Sequence, residues 1–128
     1  MVKDSKVLRA GEDTGRFGGQ YGAMYNSLYG KETLYKALDE WTHIAADEGI
    51  TKAALAYRWI AHHSALKHSN GDAIIIGATK TVQLEESLKA VEAGPLGKKS
   101  VEKIEAIWKA VEAEAPLDNY HSFAAASK

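Results

Sequence analysis

The groups best suited to gripping an anion lie together in Ile76-Gly77-Ala78-Thr79-Lys80-Thr81, just before an expected helix. Gly77 has no Cβ, so a ligand can approach the backbone closely. The helix start offers free N–H groups and the positive end of a dipole. Thr79 and Thr81 offer hydroxyls, and Lys80 adds a point charge. Gln83, one turn in, can hydrogen-bond a base or a phosphate edge. Taken alone, such a turn is more readily explained by packing and capping.

The other chemical constellations are thinner. Arg16, in Gly15-Arg16-Phe17-Gly18, could reach an anion, but without further context it reads as a surface arginine. There is no G-x-G-x-x-G after a strand, and Gly94-Pro95-Leu96-Gly97-Lys98-Lys99-Ser100 lacks Walker A spacing. His43, His62, His63, His68 and His121 form no H-E-x-x-H. His62 and His63 are adjacent, so they point to different sides of a helix and cannot share a metal. The five histidines read as packing or surface residues, and no metal site is expected. Glu85-Glu86 and Glu102/Glu105 read as solvated charges rather than an acid–base pair. No G-x-S-x-G is present. Trp41, Trp59 and Trp108 fall on apolar stripes and are expected in the core.

These residues must be held by a largely helical scaffold. Residues 1–30 show no sustained period but many glycines, so they are expected to form a glycine-rich loop or arm, anchored by Tyr21, Tyr25 and Tyr29. A first helix is expected over 32–48, with Leu34, Leu38, Trp41 and Ala45 on one face. Gly49 should end it, with Ile50 supplying the apolar contact that follows. Thr51 should cap a second helix whose stripe is Leu55, Trp59, His62 and Leu66. Residues 67–72, KHSNGD, are turn chemistry. Ala73-Ile74-Ile75-Ile76 reads as a strand buried on both faces. A third helix is expected over 82–93 with Leu84, Leu88 and Val91 inward. A fourth is expected over 101–114, capped by Ser100, with Val101, Ile104, Trp108 and Val111 inward. The chain therefore divides into an arm (1–30), a helical segment (31–116) and a tail (117–128).

A lone strand leaves a row of unsatisfied N–H and C=O groups. Either another chain supplies its partner, or the arm or tail does, or the strand does not form. Association, as a homo-oligomer or with another chain, is the expectation that follows.

Composition sets the outer limits. The chain has 128 residues, 45% hydrophobic and 26% charged, with a net charge of −1. That balance gives no positive field for nucleic acid and no basic block for an anionic membrane. The absence of cysteine removes disulfides and thiolate chemistry and fits a reducing compartment. No apolar run approaches the ~20 residues of a membrane span, and residues 1–15 have no apolar signal core. A cytoplasmic protein is expected. A complete (β/α)8 barrel needs at least about 200 residues, more than this chain has.

The blocks Y-G-K-E-T-L-Y-K-A-L-D-E-W, A-L-A-Y-R-W and I-I-G-A-T-K-x-x-Q-L-E-E occur in that order, followed by G-P-L, an I-W helix and N-Y-H-S-F. The sequence from about Gly15 to Phe123 thereby resembles the C-terminal part of aldo-keto reductases. It is most similar to the aflatoxin-aldehyde-reductase branch and its fungal, norsolorinic-acid-reductase-like relatives. The resemblance implies a mainly α fold, a C-terminal fragment of a (β/α)8 barrel with four helices and one main strand, Ala73–Ile76, completed by oligomerisation. It implies NADP(H) as cofactor, with the 2′-phosphate and adenine end held by Gly77, Ala78, Thr79, Lys80 and Gln83, with Glu86 near the adenine. Arg16 would belong to a loop near the cofactor. Ser87 stands where the family usually has asparagine, which weakens the adenine contact. The family's catalytic Asp, Tyr, Lys and His lie on early strands with no counterpart here. Tyr21, Tyr25, Tyr29 and Lys31 do not match their motifs, so no catalytic residue carries over. Three expectations follow: a truncated reductase inactive alone, an NADPH-dependent aldehyde or ketone reductase completed by a partner chain, or an oligomer-forming interaction module.

Overall fold

A computed structural model describes residues 5–10 and 17–126, with the side chains of Ala125 and Ala126 excepted. The described residues are mainly helical: α1 (Ser5–Arg9), α2 (Gly22–Tyr29), α3 (Glu32–Asp47), α4 (Lys52–His63), a 3-10 turn (His68–Asn70), α5 (Thr81–Glu92), α6 (Lys98–Val111) and α7 (Asn119–Ala126). They fall into two compact units, one within Thr42–Glu105 and one made of residues up to Trp41 together with those from Ala106 onward.

The first unit holds the end of α3, all of α4 and α5, and the start of α6. Its buried apolar residues are Ile44 and Leu55, both 0% exposed, together with Ala45, Ala90, Leu96 and Ile104. The turn between α3 and α4 forms as the glycine pattern predicts. Gly49 takes a φ of 67°. Its N–H donates to Ala46 O and that of Ile50 to Ala45 O, both at 3.0 Å. That pair of bonds is the glycine-terminated Schellman arrangement. Thr51 then caps α4, its Oγ1 accepting from the Ala54 N–H at 3.1 Å. The α4 helix ends before Leu66, because Ser64 turns its hydroxyl back onto Ile60 O (2.6 Å) and then accepts from the Leu66 N–H (3.2 Å). The α4 and α5 helices pack together, with their C-terminal turns side by side.

The expected strand does not form. Residues 72–78 have no regular secondary structure, and Ile75 is 97% exposed. The reason is the one the isolated run anticipates: a strand needs a neighbour for its backbone groups, and no described residue provides a strand to pair with it. The helix faces that should cover such a strand are bare as well. Leu84 and Leu88, expected inward, are exposed, and α5 buries Ser87 and Ala90 instead.

The second unit corrects the reading of the arm and tail. Residues expected to be glycine-rich loop carry α1 and α2, and the tail carries α7. Arg9 on α1 reaches α3 at Glu32 (3.1 Å) and Asp39 (3.2 Å), and it lies 5.1 Å from the Tyr35 ring centre. Ser5 donates to Asp39. Phe17 packs on Tyr25 and Tyr29, with ring centres 5.6 and 6.4 Å away. The backbone carbonyl of Phe17 would stand 2.4 Å from any Cβ at position 22, so only glycine fits there. The α2 and α7 helices pack together, and Tyr29 Oη donates to Asn119 Oδ1 at 2.6 Å. Trp108, expected in the core, is 47% exposed; the stripe turns Ile104 and Val111 inward and leaves the indole at its margin.

Candidate functional site

The anion-binding candidates sit where the extended segment enters α5. The helix begins at Thr81, and Lys80 occupies the N-cap position with φ −138° and ψ 142°. Asn, Asp, Ser or Thr at that position would bond a first-turn N–H, but lysine carries no acceptor, and Lys80 makes no capping bond. The first turn thus keeps donors without intrahelical partners, at the positive end of the helix dipole.

Gln83 reaches back from the first turn. Its Oε1 accepts from the Thr79 N–H at 3.3 Å and from Thr79 Oγ1 at 3.1 Å. This is the geometry of a capping-box glutamine displaced by one residue. It brings Thr79, Lys80 and Gln83 to one exposed corner. Gly77 does not use the left-handed backbone region, and a Cβ built on it meets no atom within 4 Å. Its value is therefore open approach rather than a required φ. Ala78 and Glu86 are exposed as well. Ser87 is buried and donates to its own helix, Oγ to Gln83 O at 2.7 Å. It is not turned toward any ligand at this corner. Arg16 lies outside the described residues.

The donor set suits a phosphate: a lysine ammonium, threonine hydroxyls, an amide side chain and open helix N–H groups. Tyr29 is bonded to Asn119, and Lys31 Nζ donates to Glu114 O at 2.7 Å. No three His, Cys, Asp or Glu side chains among the described residues gather as a metal set. No described helix is long and apolar enough to cross a membrane.

The family model of the aldo/keto reductase family matches residues 5–109. The chain belongs to that family. An oxidoreductase of the fungus Leptosphaeria maculans, sirO, is 38% identical over 104 residues, covering 81% of this chain and 31% of its own. A Pseudocercospora fijiensis aldo-keto reductase is 36% identical over 110 residues, covering 80% and 37%. Aflatoxin B1 aldehyde reductase member 2 of Rattus norvegicus is 35% identical over 106 residues, covering 78% and 28%. This aldo/keto reductase family chain thus spans about a third of the length of the curated relatives it matches.

Sequence reasoning missed a second polar cluster, at the connection between α5 and α6. Arg58 donates to Gly94 O (2.9 Å) and Pro95 O (2.6 Å). His63 Nε2 accepts from the Leu96 N–H at 2.9 Å. Glu48 Oε1 accepts from the Gly97 N–H (3.2 Å) and Ser100 Oγ (2.6 Å). This carboxylate starts α6 at Lys98, so Ser100 lies inside the helix instead of capping it. No local signal announces the arrangement, because Glu48 lies about fifty residues away in sequence.

Proposed function

We propose that this chain carries the NADP(H) adenine and 2′-phosphate end of an aldo-keto reductase, and that it does not reduce carbonyls by itself. The observation that carries the reading is the uncapped start of α5. There Lys80 stands at the N-cap without capping, Thr79 and Gln83 flank it, and the surroundings are exposed. Lys80 and Thr79 would meet the 2′-phosphate, with Gly77 and Ala78 allowing close approach. Gln83 and Glu86 would lie toward the adenine. When bound, the cofactor would supply the reducing equivalents. This chain's part is to recognise its phosphorylated ribose and set its orientation.

Reduction also needs the nicotinamide and the carbonyl held face to face beside a proton donor. No residue assigned among the described ones supplies that donor. Tyr29 Oη donates to Asn119 and Lys31 Nζ to the Glu114 carbonyl, and neither is assigned a catalytic role in this reading. Exposed Ile75, Leu84 and Leu88 favour a second element of the reading: completion by association, with another copy or with a larger reductase chain.

The test is thermal unfolding with NADP(H) and with NAD(H). At a ligand concentration of 100 Kd, binding should add about 2.7 kcal/mol of stability. NADP(H) should stabilise more than NAD(H), and Lys80→Ala should remove the difference. Equal stabilisation by both would overturn the phosphate assignment. Consumption of NADPH with an aldehyde by the pure chain would overturn the second clause and favour an enzyme completed by self-association.

A further inference from the structure

We propose that residues 72–80 form a dimer interface, in which the segment pairs antiparallel with the same segment of a second copy of this chain. Residues 73–78 have no regular secondary structure, but their exposure alternates. Ile74 and Ile76 are half-buried, whereas Ala73, Ile75 and Gly77 are exposed. That two-residue period is what an extended chain shows when one of its faces is covered. Lys80 is extended as well, with φ −138° and ψ 142°. No described residue bonds the backbone N–H or C=O groups of residues 73–78. The turns on either side are bonded: the Asp72 N–H donates to Lys67 O at 3.4 Å, and the Thr79 N–H donates to Gln83 Oε1 at 3.3 Å. What lies between them is a bare strand edge, which main-chain bonds from another extended segment complete.

The occupant is a second copy because the segment is complementary to itself when reversed. Asp72 stands at one end and Lys80 at the other, and residues 73–79 carry no charge. Antiparallel pairing with Ile76 opposite Ile76 of the second copy places Asp72 opposite Lys80 of that copy, and Lys80 opposite its Asp72. Opposite charges across a strand pair favour it, and like charges oppose it. A parallel in-register pair would set Asp72 against Asp72 and Lys80 against Lys80. The antiparallel register also brings Ile75 across from Gly77 of the second copy. Ile75 is 97% exposed, and a Cβ built on Gly77 meets no atom within 4 Å, so the isoleucine finds room to cover the glycine. The arrangement is two-fold symmetric about Ile76, the isologous form that most dimers take. It rests on the association element of the proposed function and not on nucleotide binding, although Gly77 and Lys80 serve in both.

The experiment is sedimentation of the full chain without nucleotide, so its outcome is independent of the NADP(H) assignment. The natural chain should pass from monomer to dimer below about 1 mM. Asp72→Lys and Lys80→Asp each set like charges opposite one another at both ends of the pair, and each should weaken the dimer about tenfold. An equal mixture of the two variants regains opposite charges at both ends and should dimerise about as tightly as the natural chain, a recovery that a fold defect in either variant does not allow. Orientation is read by carbodiimide coupling of mixed 15N-labelled and unlabelled natural chain. An Asp72–Lys80 amide joining a labelled to an unlabelled peptide is expected, since these residues of one extended segment stand about 26 Å apart, too far to couple within a chain. A natural chain that stays monomeric overturns the proposal and removes self-association from the proposed function. A dimer indifferent to both substitutions, a mixture that does not recover, or a dimer coupled only at other residues overturns the paired segment and leaves association standing.

Discussion

Replacing Lys80 by serine separates what the residue does for the helix from what it would do for a ligand. The backbone at position 80 is extended, φ −138° and ψ 142°, within the β region where N-cap residues sit. Lysine makes no capping bond there. Serine adds an acceptor within reach of a first-turn N–H, and such a cap is worth about 0.5–2 kcal/mol. A gain of about 1 kcal/mol corresponds to a melting temperature higher by roughly 4 °C for a chain of this size. The same change removes the Lys80 ammonium from the corner. A hydrogen bond to a charged group contributes about 1.5–3 kcal/mol, but this corner is exposed, so the lower end applies, about a tenfold loss of affinity for NADP(H). Affinity for NAD(H), which lacks the 2′-phosphate, should change little. Unfolding curves without nucleotide read the first effect, and titrations with each nucleotide read the second. A Lys80→Ser protein that is less stable and still prefers NADP(H) would refute both halves of the reasoning.

Other perturbations reach the rest of the structure. Leu55→Ala empties a fully buried site and should cost about 2–5 kcal/mol, read as a shift in the urea midpoint. Glu48→Ala removes the acceptor for both Gly97 N–H and Ser100 Oγ. Loss of that cap should cost about 0.5–2 kcal/mol, and amide exchange should speed up first at the start of α6. The Asp47 carboxyl is held below its ordinary value, first by the hydrogen bond from Lys103 and then by its charge. A lowered carboxylate contributes stability above the ordinary value, about 3.9, that is lost as pH falls through the folded one. Asp47→Asn should therefore lower stability slightly at neutral pH, the pair being exposed, and the gap to the natural chain should close as pH falls from about 5 to 2, read from the unfolding midpoint.

The legible parts of the fold are those set by neighbours in sequence. The α3–α4 turn could be read in advance, because Gly49, Ile50 and Thr51 are themselves the terminator, its apolar contact and the next cap. The four long helices were visible from apolar spacing. What escaped depends on distant groups. At the start of α6 a carboxylate from residue 48 takes the Gly97 N–H and the Ser100 hydroxyl. The α2 helix forms within a glycine-rich stretch in which Gly22 fits under the Phe17 carbonyl and Tyr29 bonds to Asn119. The run Ala73–Ile76 has the composition of a strand, but composition cannot provide a pairing partner, and it remains without regular secondary structure, Ile75 exposed and Ile74 and Ile76 half-buried. At the candidate site, the residue types were legible and the geometry was not. Nothing in the sequence says that Gln83 engages Thr79, or that Ser87 turns back into its own helix.

The central claim, a phosphate-selective corner at the start of α5, is tested most directly by following backbone amide resonances during separate titrations with NADP+ and NAD+. The account predicts that Gly77 to Gln83 shift with NADP+ at concentrations where NAD+ leaves them in place, and that Lys80→Ala abolishes the difference. Shifts that are equal for both nucleotides, or that fall elsewhere on the chain, would contradict it.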